Sequence, residues 1–296
     1  MYERILAAAR SAVWCLSKPK LEELFDVLEL RASGGNVDAA TIQALAADSR
    51  SRADSRSMGE VGVLPVIGTI VHRGNMITEA SGTASSDVLG KQFTSMVNNP
   101  DVSSIVFDFD SPGGQAAMIQ ELAAQIAAAR GTKPIVAVVN PEAGSAAYWL
   151  ATAADEIVVT PSGEVGSIGA YAYHVDYSAQ NEMLGVKPTY ISYGEHKTEA
   201  NADEPLTDEA MAQVQASVDR VGKQFESDVA KYRGTTVADV RKNFGQGRMV
   251  EAERAVSLGM ADRIGTFRET IQRVATGDNR RITRRPKIER ARLTVF

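Results

Sequence analysis

Between residues 102 and 159 the chain alternates three short β-rich runs with two alanine-rich runs, and this rhythm limits the possible folds more than any other feature. Residues 102–109 (VSSIVFDF), 134–139 (PIVAVV) and 156–159 (EIVV) are dominated by β-branched and aromatic side chains, which suit a buried, pleated surface. Residues 115–130 and 145–154, between them, have the composition of helices. Strands joined by helices run parallel, because each helix returns the chain to the same end of the sheet. The expectation is an α/β domain with a parallel-rich sheet and flanking helices.

The remainder is arranged around that unit. Residues 1–48 read as a helical N-terminal segment, with Leu21, Leu24, Phe25, Leu28 and Leu30 near helical spacing and Gly34-Gly35 as a stop. Residues 49–60 are polar and read as a linker, so the main domain is expected over 61–274. It opens with a strand at 61–71, a loop at 72–84 and a helix at 86–96; further on, strands are expected at 170–175 and 187–193, and a short helix at 177–184. A long amphipathic helix at 207–232 follows, with Thr207 as its N-cap. Residues 275–296 form a basic, flexible tail, with seven Arg or Lys against two acids from residue 278 onward. Such a tail can touch an acidic partner or nucleic acid, or simply be solvated.

Composition excludes several classes. A net charge of -5 gives no overall pull toward nucleic acid. The single cysteine, Cys15, allows no intramolecular disulfide, and with three histidines it is too little for a structural zinc site, so neither metal nor cofactor is expected. No run approaches the length of a membrane span and the N-terminus lacks a signal-peptide core, which points to a cytoplasmic protein without a membrane anchor.

Two loops follow strands that should be parallel neighbours, and so should open on the same sheet edge, where ligands gather in α/β folds. One is Asp110-Ser111-Pro112-Gly113-Gly114; the other is Gly144-Ser145. Gly113 and Gly114 can present bare N–H groups, as an oxyanion hole requires, and neither phosphate-loop pattern is present. Ser145 at a helix start can be an N-cap or a nucleophile. As a nucleophile it needs a base. His72, His174, His196 and the lysines are available, and Lys197 adjoins His196. Histidine needs little adjustment to act near neutrality, whereas any lysine base must be held neutral, at roughly 4–5 kcal/mol.

Residues 61–270 resemble the S49 family of serine peptidases, the signal-peptide peptidase A group. The resemblance rests on Asp110-Ser-Pro-Gly-Gly114, Gly144-Ser-Ala-Ala-Tyr-Trp149 with Ala153-Ala-Asp-Glu-Ile157, Gly166-Ser-Ile-Gly169, Gly194-Glu-His-Lys197 and Gly245-Gln-Gly-Arg248, in that order. Within the family the pattern is closest to the head maturation proteases of phages and prophages, through Trp14, Leu64-Pro65-Val66 and the Ala-Ala-Tyr-Trp after the serine. The resemblance implies a ClpP/crotonase-like fold and a Ser-Lys dyad. Ser145 aligns with the nucleophile and Lys197 with the general base. Gly113 or Gly114, with Ala146, would supply the oxyanion hole, and Ser167 would support the Lys197 amine. Many cellular members have Ser-Gly-Gly where this chain has Ser145-Ala146-Ala147, which adds a methyl near the oxyanion hole.

What the resemblance implies about biology is polypeptide substrates among capsid, scaffold or portal precursors, in the host cytoplasm or the prohead. It also implies a homo-oligomeric ring in which sites can be composite between subunits. Competing readings are a soluble signal-peptide peptidase-like protease, a crotonase-like acyl-thioester binder, and a structural head protein with a vestigial site. The presence of both Ser145 and Lys197 argues against thioester binding, which requires neither.

Overall fold

The computed structural model of the chain describes residues 9–10, 12–32, 56–73 and 84–277. The basic tail from residue 278, most of the polar linker and most of the loop at 72–84 lie outside the described residues. The chain begins with β1 (Trp14–Leu16), α1 (Lys18–Ala32), β2 (Arg56–Met58), β3 (Val61–Ile67), β4 (Ile70–Val71), β5 (Ala84–Ser85) and α2 (Ser86–Asn98). Its centre is β6 (Ser104–Ser111), β7 (Gly113–Gln115), α3 (Ile119–Ala128), β8 (Ile135–Gly144), α4 (Ala146–Thr152), β9 (Glu156–Val159) and β10 (Glu164–Gly166). Then come α5 (Ser178–Met183), α6 (Asp208–Arg233), α7 (Val237–Asn243), β11 (Met249–Glu251), α8 (Ala252–Ser257), β12 (Arg263–Ile264) and α9 (Phe267–Ala275).

The main sheet runs β11-β10-β8-β6-β3-β2. The pairs β3–β6, β6–β8, β8–β9, β8–β10 and β9–β12 are parallel, and β2–β3 and β10–β11 are antiparallel. The expected parallel-rich sheet is therefore present. Strand β8 holds it together: Val136 to Val139 pair with β9, and Glu142 to Gly144 pair with β10. A smaller sheet, β1-β7-β4-β5, stands at the end of β6.

Alternation along the strands divides the core in two. Leu64, Val66, Ile105, Phe107, Phe109, Ala137 and Val139 share one cluster with Leu89, Phe93 and Met96 of α2, Leu122 and Ile126 of α3, and α4. Their intervening neighbours Val61, Val63, Val106, Val136, Val138 and Val158 form the other, closed by Ile271 and Val274 of α9. Helix α9 is fixed by a capping box at Thr266 and Glu269 and by an ion cluster at the sheet margin. There Glu156, almost fully buried, meets Arg263 at 2.5 Å and Arg273 at 2.6 Å.

Four expectations change. Residues 14–16 are a strand within the N-terminal segment, because they find an edge in β7, and residues 56–58 of the linker pair with β3. Residues 170–175 make only a single bridge, Tyr171 to Trp14, and residues 187–193 form no strand. β-Propensity expresses itself only where a neighbouring edge completes the hydrogen bonding: the first run meets β1 at one residue alone, and the second has no adjacent strand among the described residues.

Two outcomes follow for stability. Glu156→Ala leaves two arginines facing each other at the margin and should lower unfolding free energy by about 3 kcal/mol in urea titration; a loss below about 1 kcal/mol would contradict the ion cluster's role. At Gly114 a Cβ would stand 1.9 Å from the Ile70 carbonyl oxygen, so Gly114→Ala must part β7 from β4. Its cost in the same titration should be about 3 kcal/mol, and a neutral effect would mean that the two strands are not so tightly apposed.

Candidate active site

Parallel pairing sets the site's position. Ser111 lies opposite Ala143, so the ends of β6 and β8 are level and the turns after them open on one edge. After β6 the chain passes through Pro112 into Gly113, whose φ of 109° is open to glycine and closed to most other residues. A Cβ at Gly113 would lie 2.2 Å from the Cys15 carbonyl oxygen, 2.9 Å from the Gly144 carbonyl oxygen and 3.0 Å from Ser145 Cβ. The backbone of Gly113 is thus pressed directly against Ser145.

Ser145 joins β8 to α4 with φ 49° and ψ -113°. A non-glycine residue in such a region costs on the order of 1–3 kcal/mol and persists only where its surroundings enforce it. Here its N–H donates to the Gly166 carbonyl at 2.7 Å, and its carbonyl accepts from the Trp149 N–H at 2.9 Å. The hydroxyl makes no cap bond, so the N-cap reading of this serine does not hold. A serine on a sharp strand-to-helix turn is the geometry of a nucleophile elbow, and here its hydroxyl is buried against the Cys15 thiol. Ala146, the first residue of α4, has an N–H with no intrahelical acceptor and stands beside Ser145, at the positive end of the helix.

Helix α4 is wholly buried and held on every side. Tyr148 donates its hydroxyl to the Met260 carbonyl at 3.0 Å, and Trp149 Nε1 donates to Asp228 Oδ2 at 3.1 Å. The Trp149 ring stacks on Phe225 with centroids 4.6 Å apart. Arg130 donates to the carbonyls of Thr152, Ala153 and Ala154 at 2.7–2.8 Å, which caps the helix C-terminus with a cation. Burial raises the pKa of Asp228, and its bonds from Trp149 and Gln224 oppose that rise.

The structure brings Ser145, Gly113, Gly114 and Ala146 together. Ser167 stands immediately after Gly166, which accepts the Ser145 N–H; it is half-buried and donates its own N–H to Arg248 at 2.9 Å. Lys197 is elsewhere in its contacts: it is exposed, its N–H bonds Gly194 at 3.2 Å, and no hydrogen bond joins it to Ser145 among the described residues. The histidines are also engaged away from Ser145. His72 contacts Ser86 at 3.3 Å, His174 contacts the Asn201 carbonyl at 3.0 Å, and His196 pairs with Glu199. His196, Glu199 and Glu209 also gather potential ligand atoms within 4.8 Å, an exposed grouping of a kind common without an ion.

One residue of the site is missing from the sequence reading. Cys15 is fully buried beside Ser145, and burial pushes its thiol up to about 12, an effect the Ser145 hydroxyl partly offsets. The signal for its strand was the β-favouring Val13-Trp14-Cys15-Leu16 run, cut from the helix by Ser17 and Pro19.

Residues 127–281, just over half of the chain, match the model of peptidase family S49. The chain is similar to head-tail preconnector protein GP5 of Enterobacteria phage P21, at 31% identity over 264 residues, covering 89% of this chain and 51% of that protein. It is similar to capsid assembly protease C of Escherichia phage lambda at 32% over 224 residues, covering 75% and 51% respectively. Protease 4 of Salmonella typhi is 29% identical over 198 residues, 67% of this chain and 32% of that protein. The chain thus spans about half the length of the two phage relatives. No described helix is long and apolar enough to cross a membrane. By its family match, and with an α/β fold of the ClpP-like kind, the chain belongs to peptidase family S49.

Proposed function

We propose that the chain is a serine endopeptidase with a Ser145–Lys197 dyad, acting on phage head assembly proteins. The observation that carries this reading is Ser145 itself: a buried serine in an enforced backbone conformation, at a strand-to-helix junction packed on a glycine strand, in an S49 member. Ser145 Oγ attacks a peptide carbonyl as a neutral lysine amine takes its proton. The carbonyl oxygen becomes an oxyanion among the N–H groups of Gly113 or Gly114 and Ala146. On collapse the C–N bond breaks, the lysine returns the proton to the leaving amine, and an acyl-enzyme remains. Water, deprotonated by the same lysine, releases the acyl group and restores the serine.

Lys197 would act from a second copy. Its loop follows an exposed apolar surface: Met183 is 88%, Ile191 98% and Tyr193 fully exposed. Such a patch favours association, and the unpaired run at 187–193 has the composition to complete its hydrogen bonding against a partner. Ser167 would then receive the incoming amine. The substrate class is suggested by the relatives' names, a capsid assembly protease and a head-tail preconnector protein. Capsid, scaffold or portal precursors are the polypeptides to test, in the host cytoplasm or the prohead.

Ser145→Ala and Lys197→Ala should each reduce cleavage of a co-expressed capsid or scaffold precursor by more than about a thousandfold, with folding retained. Retained cleavage by either variant removes the dyad. His196→Ala should stay within a few-fold of wild type; inactivation would make histidine the base. A further outcome concerns the source of the lysine. Oligomers assembled from a mixture of Ser145→Ala and Lys197→Ala chains should regain cleavage, because some sites then combine an intact serine with an intact lysine, whereas a dyad within one chain would leave every mixture inactive.

A further inference from the structure

The three residues of β1 occupy one edge of the glycine strand β7, beside Ser145. Trp14, Cys15 and Leu16 pair antiparallel with Gln115, Gly114 and Gly113. The Val13 carbonyl accepts the Ala116 N–H at 3.1 Å, so the alternation of an antiparallel ladder makes Cys15 and Gly114 the next bonded pair. On its other edge Trp14 exchanges both backbone bonds with Tyr171, at 2.9 and 3.0 Å. The segment is therefore an extended strand paired on both sides within a slot beside the nucleophile. Its side chains alternate as well: Cys15 enters the main core against Ser145, while Trp14 and Leu16 turn to a separate cluster with Leu21, Leu24, Phe25 and Leu28 of α1.

An extended peptide bound by strand addition uses the same features, with main-chain bonds along an edge and alternate side chains in pockets. We propose that residues 14–16 are an internal occupant of the substrate groove, which withdraws before a polypeptide can enter. This rests on the reading of Ser145 as nucleophile. A strand edge accepts one partner at a time, so the segment and a substrate exclude each other on β7. With the segment in place Ser145 is 1% exposed, which leaves no path for a peptide carbonyl. The apolar anchor of the segment is a cluster distinct from the main core, so release leaves the sheet and α4 packed. Beneath it the Tyr171 hydroxyl is buried without a hydrogen-bond partner among the described residues, an imperfection expected of a replaceable contact more than of a permanent wall. The pocket that holds Cys15 assigns a small side chain to the substrate residue opposite Gly114.

Binding to the full chain carrying Ser145→Ala tests this without any catalytic step. The probe is a fluorescein-labelled peptide copying residues 10–20 with the Cys15→Ser change, followed by anisotropy. Adding Leu16→Asp to the protein forces a carboxylate into the apolar cluster and should free the strand, seen as rapid iodoacetamide alkylation of Cys15 with an unchanged circular dichroism spectrum. A tethered occupant competes at an effective concentration in the millimolar range, so its release should tighten peptide binding at least tenfold. Equal binding to both proteins, or none to either although Cys15 alkylates, overturns the proposal. Should Leu16→Asp fail to fold, Trp14→Asp, which places the charge in the same apolar cluster and keeps Cys15 as the reporter, gives the same comparison. Failure of the nucleophile reading is registered separately, by the cleavage experiments on Ser145 and Lys197.

Discussion

The tight meeting of backbones around Ser145 governs the rest of the structure. A side chain at Gly113 would collide with the carbonyls of Cys15 and Gly144, and one at Gly114 with the carbonyl of Ile70. Close-packed main chain of this kind fixes positions more firmly than side-chain packing, because it has no rotamers to adjust. It sets the backbones of Gly113 and Gly144 beside the serine with little freedom to move, and the Gly113 N–H donates to Ser111 Oγ at 3.3 Å. The cost is an unfavourable conformation at Ser145, and the surroundings must enforce it.

They do so from several directions. The Gly166 carbonyl holds the Ser145 N–H, tying the turn to β10, and β10 is tied in turn to β11. At the far end of α4, Arg130 binds three carbonyls, while Trp149 and Tyr148 fasten the helix to α6 and to Met260. Arg233 completes the frame, with two bonds to Asp262 at 2.8–2.9 Å, while Asp262 accepts the Ile157 N–H of β9 at 2.8 Å. Ser145 is thus rigidly mounted, whereas the loop carrying Lys197 is exposed and follows an exposed apolar surface. On the proposed reading, a fixed serine and a base delivered by assembly would confine proteolysis to the oligomer.

Much of this was legible in the sequence because it is local. The strand-helix rhythm from residue 102 fixes parallel neighbours, and parallel neighbours place Gly113-Gly114 and Ser145 on one edge without further information. Thr207 was readable as a helix cap, and the structure has its hydroxyl accepting the Ala210 N–H at 3.2 Å. What escaped depends on distant partners. A three-residue strand such as Trp14–Leu16 carries almost no periodic signal, and its identity comes from Gly113–Gln115, about a hundred residues away. Arg130 and Asp228 look like ordinary surface charges until α4 is placed between them. The run at 187–193 errs in the opposite sense, since its β-favouring composition is genuine but the described residues give it no edge.

The central claim is that Ser145 is an activated nucleophile, and the most direct measurement is to map its covalent adduct. The assembled protein would be incubated to completion with a small fluorophosphonate, digested, and sequenced by tandem mass spectrometry. The account predicts modification of Ser145 with the other serines unmodified, and its disappearance in the Lys197→Ala protein. An adduct at another hydroxyl while Ser145 stays unmodified, or equal labelling without Lys197, would contradict it.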